Sequence, residues 1–517
     1  MGLDPVVNPV FMAATQDLAP VGLDAWAQAC DQALDAGERM VTLFGRADGV
    51  DGSDGRADAS ERGAGVTTAV RTTAVFQAAD GRLRVLRGRA SRGAHAYASL
   101  TPAHPAVQIF ERELWEQTGI DPLGHPWLKP VRYEGARQQR MTGHPFFTVR
   151  GQEIHEVGVG PIHASVIEPG HFRFMCHGEQ VQHLEIQLGY QHRGVEALLL
   201  QRPPLALTSL VETICGDTSI GYAWGYCAAV EALSGTPVGI GAERVRGVAL
   251  ELERVAMHVG ALSGMATDIA FLQGGATYGR LRTAIINATM RVCGSRFGRG
   301  WLRPGGVRFG LTEALRQDLL ATLAAFAKDI AQVNGLMLGA RSVRSRLRGV
   351  GTISLKAEQD LGLTGLMARA SGVAVDTRVS LPGDLYSAHP VTLVTEASGD
   401  CWARLRLRMG EIDASVRWLT RLLEAPAIDL AVTGPSGLSG LRSLAPDTLC
   451  VSVCEGSRGP VVQALETGAD GQLVHYKVQD PSLANWFGVA LALRDNEISD
   501  FPICNKSFDL SYCGNDL

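Results

Sequence analysis

Two short stretches carry the residues best suited to chemistry: Ile214-Cys-Gly-Asp-Thr-Ser219 in mid-chain and Asp509-Leu-Ser-Tyr-Cys-Gly-Asn-Asp-Leu517 at the end. A tetrahedral or square-planar sulfur site takes four soft ligands, and two C-x-x-C pairs supply them because that spacing turns both sulfurs inward. Here each stretch holds a single thiol. Three residues after Cys215 stands Thr218, and Cys513 has Leu510 three residues before it and only the short terminus behind it. The spacing predicts a metalloenzyme-like scaffold without its metal, and no metal ligand set is assigned.

Four clusters stand out. In Gly160–Phe174 (GPIHASVIEPGHFRF), the turns bring His163, Glu168 and His171 near one another on a loop, where chemistry is often mounted; a hairpin with surface histidines is the plainer reading. In Gly189-Tyr-Gln-His-Arg-Gly-Val-Glu196, two glycines bracket a polar turn with Arg193, or merely an ordinary helix start. Cys215 and Asp217 are too close to share a helical face, but a thiol beside Gly at a helix start has a lowered pKa; a free buried Cys is the alternative. Glu455 and Arg458 in Val453-Cys-Glu-Gly-Ser-Arg-Gly459 are flanked by glycines that permit close backbone approach, and with them goes the polar terminal segment, which also reads as a frayed tail.

Composition bounds the classes. At 517 residues the chain is longer than one core usually covers, and 46% hydrophobic with 20% charged residues is globular. A net charge of −5 leaves no nucleic-acid footprint. Ten irregularly spaced cysteines, behind an N-terminus with neither a basic nor an apolar leader region, read as reduced cytosolic thiols. The best apolar run, 197–214, is broken by Arg202, Pro203, Pro204 and Glu212, so a membrane link is expected through a partner.

The expected fold is α+β: a small α+β domain over 1–133, then over 145–517 a large, mainly helical bundle flanked by small antiparallel sheets. In the first, a helix (23–34), a β-like run (39–44), an exposed Gly/Asp/Ser loop (47–66), a hairpin (67–77 and 83–88) and an amphipathic helix (105–119) follow in order. Val107, Phe110, Leu114 and Trp115 share one face of that helix, with Glu111, Arg112, Glu113 and Glu116 around it. In the second, strands are expected at 146–150, 154–159 and 171–177. Helices are expected at 211–233, 243–262, 278–294, 311–348 and 401–423, with 319–340 apolar enough to be buried within the bundle. Strands at 448–453 and 473–478 and a helix at 483–493 complete the pattern.

Taken in their fixed order, GPIHASVIEPGHFRF, LGYQHRGVEALL, ETICGDTS with CAAVEAL, VALELERVAMHVG, LTGLMARASGV, CEGSRG and DFPICNKSFDLSYCGNDL resemble the large subunit of group 4 nickel–iron hydrogenases, of formate hydrogenlyase type. They resemble equally the 49-kDa subunit of respiratory complex I. Through HPAVQIFERELWEQTGIDPLGHPWLKP, residues 1–133 look like the complex I 30-kDa subunit.

The resemblance implies a nickel–iron site built from a C-x-x-C and a D-P-C-x-x-C. At those positions stand Cys215 and Thr218, then Asp509 and Leu510 followed by Ser511 and Gly514, with Cys513 out of register. Nickel–iron is therefore not expected. The complex I quinone-contacting His and Tyr fall on Ile167 and near Gly216, so quinone binding in that manner is not expected either. What the resemblance implies is a peripheral-arm subunit of a hydrogenase-like or NADH–quinone oxidoreductase-like complex, on the cytoplasmic face of the inner membrane. Its partners would be an iron–sulfur small subunit of complex I 20-kDa type, and antiporter-like and anchor subunits in the membrane. The cavity would take a quinone or another small redox substrate and couple electron transfer to ion translocation. His163, His171, Glu168, Asp217 and Cys215 are its expected reactive groups, Asp509, Ser511 and Cys513 its closure, and Thr218, Arg193, Glu455 and Arg458 its binding groups. A working nickel–iron hydrogenase and a scaffold without chemistry are the alternatives.

Overall fold

The computed structural model describes residues 10–47, 69–91, 95–134, 141–164, 167–425, 430–432 and 442–517. Strands Arg39–Ala47, Val70–Gln77 and Leu83–Ala90 form an antiparallel sheet, with the two-residue strand Val21–Gly22 added in parallel at its edge. Successive strand residues face opposite ways, and both faces are used. Leu43, Ala74 and Phe76 pack on helices Leu23–Asp35 and Gln108–Thr118 through Trp26, Cys30, Phe110 and Leu114. Val41, Phe44 and Val75 pack on Leu449, Val451 and Val462 of a second sheet.

That second sheet runs Val10–Ala14, Thr448–Glu455, Pro460–Thr467, Leu473–Gln479, all antiparallel. The strand Val10–Ala14 is thus built into a sheet made by the chain's last hundred residues. Behind it lie the helices. Ile240–Asp268 is the central one, packed on Leu272–Cys293, Cys401–Glu424 and Phe501–Phe508, while Ser219–Ser234 lies between it and the sheet. A small hairpin sheet, Ile154–Val159, His171–His177, Gln180–Gln187, closes one side. The mixed α+β architecture is the one expected. Among the described residues no helix is long and apolar enough to cross a membrane.

Several local expectations are corrected. The helix expected over 211–233 is two pieces, Thr208–Val211 and Ser219–Ser234, with the Cys215 turn between them. The Glu253 carboxylate accepts from the Ile220 and Gly221 N–H groups and fixes the second start. No strand forms over 146–150; Phe147 N–H instead donates to Glu185. Strands Gln180–Gln187 and Pro460–Thr467 were not expected. The 311–348 helix breaks at Ala340, which is extended. Its apolar stretch buries only the stripe Leu319, Leu323, Phe326, Ile330, Val333, Met337, leaving Leu336 63% exposed. Nearly all of the expected 47–66 loop lies outside the described residues.

Helix Gln108–Thr118 departs furthest from its pattern. Glu111, Arg112, Glu113 and Glu116 are all buried, because this helix is enclosed and each charge finds a fixed partner. Glu111 accepts from Leu100 N, Thr101 N, Thr101 Oγ1 and Ser99 Oγ, and Glu116 from the N–H groups of Val131, Arg132 and Glu134. Glu113 pairs with Arg132 and with Lys477 of the second sheet. Leaving a buried charge without its partner costs about 3–5 kcal/mol, so Glu113→Ala is expected to lower unfolding free energy by about that much in denaturant titration. Asp360→Ala, which removes an exposed pair with Lys356, is expected to change it by no more than about 0.5 kcal/mol.

Candidate functional site

A cavity of about 650 Å³ opens where four segments meet: the Cys215–Asp217 turn, the loop at Ile167 and Glu168, the Ser295–Arg299 loop, and the tail from Asp509 to Tyr512. Arg458 forms its floor. The guanidinium grips Asp217 with two prongs, Nη1 to Oδ1 and Nη2 to Oδ2 at 2.8 Å each, while Nη1 reaches Thr218 Oγ1 at 3.3 Å and Nε donates to the Asp509 carbonyl. Planar two-pronged pairing of this kind is what arginine offers and lysine does not. Burial opposes ionisation of Asp217, but the Arg458 charge and hydrogen bonds from Arg458, Cys215 and Thr218 outweigh it and hold the carboxyl well below the usual carboxylate range.

Cys215 Sγ lies 3.2 Å from Asp217 Oδ1, 3.4 Å from Ser511 Oγ and 3.6 Å from Thr218 Oγ1. The thiol sits in the turn ahead of the helix N-cap, Thr218, and not in its first turn. Its turn is fastened from behind by Arg193, which donates to the carbonyls of Thr213 and Ile214. Asp509, in the left-handed region at φ 54°, ends the Phe501–Phe508 helix and pairs with Lys506 at 2.9 Å. The expected grouping of Cys215, Asp217, Thr218, Arg458, Asp509 and Ser511 is what the structure brings together.

Other expectations are corrected. His163 and His171 do not line the cavity. His163 Nε2 meets the Gly170 carbonyl at 2.8 Å and His171 Nδ1 the Gly160 carbonyl at 3.2 Å, so the two imidazoles brace opposite sides of one loop. Among the described residues of that loop, Ile167 and Glu168 reach the cavity. Arg193 donates to backbone carbonyls and does not line the cavity. Glu455 is buried elsewhere, accepting from Arg369 Nη1 and Thr377 N–H. The tail is not frayed: Tyr512, Cys513, Asp516 and Leu517 are buried, because Arg132 donates twice to the Gly514 carbonyl and Gln191 N–H to Asp516.

Cys513 turns behind the cavity wall, where Sγ is 3.2 Å from Asp480 Oδ2 and 3.7 Å from the Tyr222 hydroxyl. Cys215, Asp480 and Cys513 present ligand atoms within 4.8 Å of one another, the one such group among the described residues. Four sulfurs do not converge. Thr218 and Ser511 bring hydroxyls, and a Cβ on Gly514 would meet Asp480 Cβ at 3.1 Å and Leu483 Cβ at 3.2 Å. Asp480, Tyr222, Trp486 and Arg299 were missed from the sequence. The signal at Asp480, an Asp-Pro step, announces only a helix N-cap, a role it also fills by accepting from Ser482 N–H.

The family model described as respiratory-chain NADH dehydrogenase, 49 Kd subunit, matches residues 268–432, and that for the 30 Kd subunit matches residues 23–148. Formate hydrogenlyase subunit 5 of Escherichia coli (strain K12) is 26% identical over 441 residues, covering 80% of this chain and 76% of its own length. Membrane-bound hydrogenase subunit alpha of Pyrococcus furiosus is 28% identical over 365 residues, 68% of this chain and 85% of its own length. An NADH-quinone oxidoreductase subunit of Carboxydothermus hydrogenoformans is 31% identical over 278 residues, 53% of this chain and 75% of its own length.

The tail is tied through Arg408 to a buried histidine. Arg408 Nη2 donates to the Ser507 and Phe508 carbonyls, just before Asp509, while Nη1 donates to His258 Nδ1, whose Nε2 bonds Glu411 at 2.7 Å. Burial pushes the His258 pKa down to about 4; the Glu411 carboxylate opposes this and Arg408 and Arg254 add to it. An unfolded histidine titrates near 6.5, so this stability is complete above that pH and lost as pH falls toward 4. Denaturant titration is expected to show about 2 kcal/mol less stability from this group at about pH 5 than at about pH 7.5, and His258→Asn should flatten that slope.

Proposed function

This chain belongs to the family of the respiratory-chain NADH dehydrogenase 49-kDa subunit and the hydrogenase large subunits related to it, with 30-kDa-type residues ahead, and we propose that it works without a nickel–iron centre. On this reading it is a peripheral-arm subunit that packs on an iron–sulfur small subunit and, through partners, on antiporter-like and anchor subunits in the membrane. Its cavity takes protons or a small redox substrate, a quinone among the candidates, and ties electron transfer in the small subunit to ion movement. The observation that carries the reading is the Arg458–Asp217 pair at the floor of a polar cavity whose wall holds one thiol, Cys215.

Arg458 joins three segments: the Cys215 turn through Asp217, the helix start through Thr218, and the tail through the Asp509 carbonyl. A negative charge arriving in the neighbouring cluster favours proton uptake in the cavity and pulls on the Arg458 guanidinium, while Asp217, held ionised by that guanidinium, keeps the Cys215 turn attached to it. Arg458 passes the pull to the tail through the Asp509 carbonyl. Cys215, 3.2 Å from Asp217, senses the same change. Glu168 at the rim supplies a carboxylate open to solvent. The residues present do not fit a four-thiolate nickel–iron site.

In the intact complex, Arg458→Ala and Asp217→Asn are expected to lower donor-to-acceptor turnover by on the order of tenfold or more while assembly is kept. Elemental analysis should return no stoichiometric nickel. Nickel at about one per chain, as a four-ligand hydrogenase site would hold, would overturn the proposal in favour of a hydrogenase. Unchanged turnover in both variants would reduce the chain to a scaffold.

A further inference from the structure

The buried group behind the cavity wall has a ligand chemistry of its own. Asp480 Oδ1 is occupied by the Ser482 N–H at 2.8 Å, which aims Oδ2 at the sulfurs; Oδ2 lies 2.6 Å from the Tyr222 hydroxyl and 3.2 Å from Cys513 Sγ. Cys215 Sγ completes a triangle whose edges are all within 4.8 Å. A tetrahedral zinc ion holds sulfur at about 2.3 Å and carboxylate oxygen at about 2.0–2.2 Å. Ligand atoms around such an ion therefore stand about 3.3–3.8 Å apart, the scale of this triangle. We propose that Cys215, Cys513 and Asp480 hold one zinc-type divalent cation.

The inference rests on the reading that no nickel–iron centre is present, and its ligand set is different: one carboxylate and two thiolates, with nothing from Thr218, Ser511 or Gly514. Burial argues for an ion. The three residues are 4%, 7% and 3% exposed, and an ionised carboxylate in such a place is stable only when paired or bound to a metal. Its donors, the Tyr222 hydroxyl, the Ser482 N–H and the weakly donating Cys513 thiol, are all neutral and bring no counter-charge. With the cation in place, two thiolates and one carboxylate exceed its charge by one, and the Arg458 guanidinium lies 4.0 Å from Cys215 Sγ to face the excess.

Tyr222 donates to the carboxylate, the outer-shell contact that orients a metal-bound oxygen. The three ligands come from the mid-chain turn, the N-cap of helix Pro481–Ala492 and the tail, so the ion fastens the tail to the turn bearing Cys215. Three protein ligands leave the fourth tetrahedral position for water.

The test is metal analysis of the purified full-length chain, grown with zinc and with nickel and kept reduced. About one zinc per chain is expected, reduced at least about tenfold in Cys513→Ser and in Asp480→Asn and unchanged in Cys293→Ser, a thiol on another helix. Should a ligand variant fail to fold, the wild-type chain decides. Chelator treatment should make Cys215 and Cys513 alkylatable together and zinc should protect both, as read by peptide mass. Substituted cobalt should show thiolate-to-metal charge-transfer absorption. Absence of metal, zinc that survives both ligand replacements, or a reducible Cys215–Cys513 disulfide in its place overturns this inference and leaves the proposed function standing. Stoichiometric nickel overturns both.

Discussion

The two-pronged pair between Arg458 and Asp217 is the constraint on which the site depends. It joins segments more than two hundred residues apart, and its geometry is set by backbone more than by side-chain choice. Arg254 donates to the Glu455 and Gly456 carbonyls and so fixes the loop that carries Arg458. Gly365, at φ +58°, packs against the same loop, and a Cβ there would stand 2.2 Å from the Arg458 carbonyl. Only glycine tolerates both that conformation and that approach. The glycines around CEGSRG do permit close backbone contact, as its composition suggests, and the partner is another loop of the same chain.

Around this pair lies an uncommon density of buried charge. Arg246, Arg254, Arg369 and Arg404 are all fully buried. Each has fixed partners: Arg369 has Glu411, Glu455 and the Val375 carbonyl, and Arg404 has the carbonyls of Gly351 and Gly399 and Ser507 Oγ. Burying ions is not an economical way to add stability. Its effect here is to specify where loops end. Arginine donors aimed at carbonyls favour one position of a loop over others, and one loop so held, gripped by Arg254 at Glu455 and Gly456, carries Arg458 to the cavity.

Long helices and the first sheet were legible because their periods are strong. Leu23–Asp35, Ile240–Asp268 and Cys401–Glu424 match expectation to within a few residues. Pro460–Thr467 was not, because it is buried on both faces and carries the polar Gln463, Glu466 and Thr467, of which Gln463 and Glu466 meet partners as far away as Tyr222 and Arg87. The charges of Gln108–Thr118 misled for the same reason: a pattern reports polarity, and polarity means surface only when no partner waits inside. Within the site, Cys215, Asp217, Arg458, Asp509 and Ser511 were legible as a set through order and motif. His163 and His171 were misassigned because loop proximity says nothing about which way an imidazole turns. Asp480 was invisible, since its helix-capping oxygen explains the residue before its second oxygen is considered.

The N-terminal unit bears on the site as well as on the sheet it covers. Arg132 pairs with Glu113 and donates through Nε and Nη2 to the Gly514 carbonyl at 3.1 and 2.6 Å. Lys477 reaches Glu113 from the second sheet and Glu196 from the helix after the Arg193 turn. One buried cluster thus holds the tail beside Cys513, the sheet that precedes Asp480, and the segment that leads to Cys215. Ordering the 512–517 segment costs conformational entropy, so it stays in place only because other residues hold it. The fused unit supplies that hold, and this gives a physical reason for 30-kDa-type and 49-kDa-type residues to share one polypeptide: the tail that closes the cavity is fastened from the other unit.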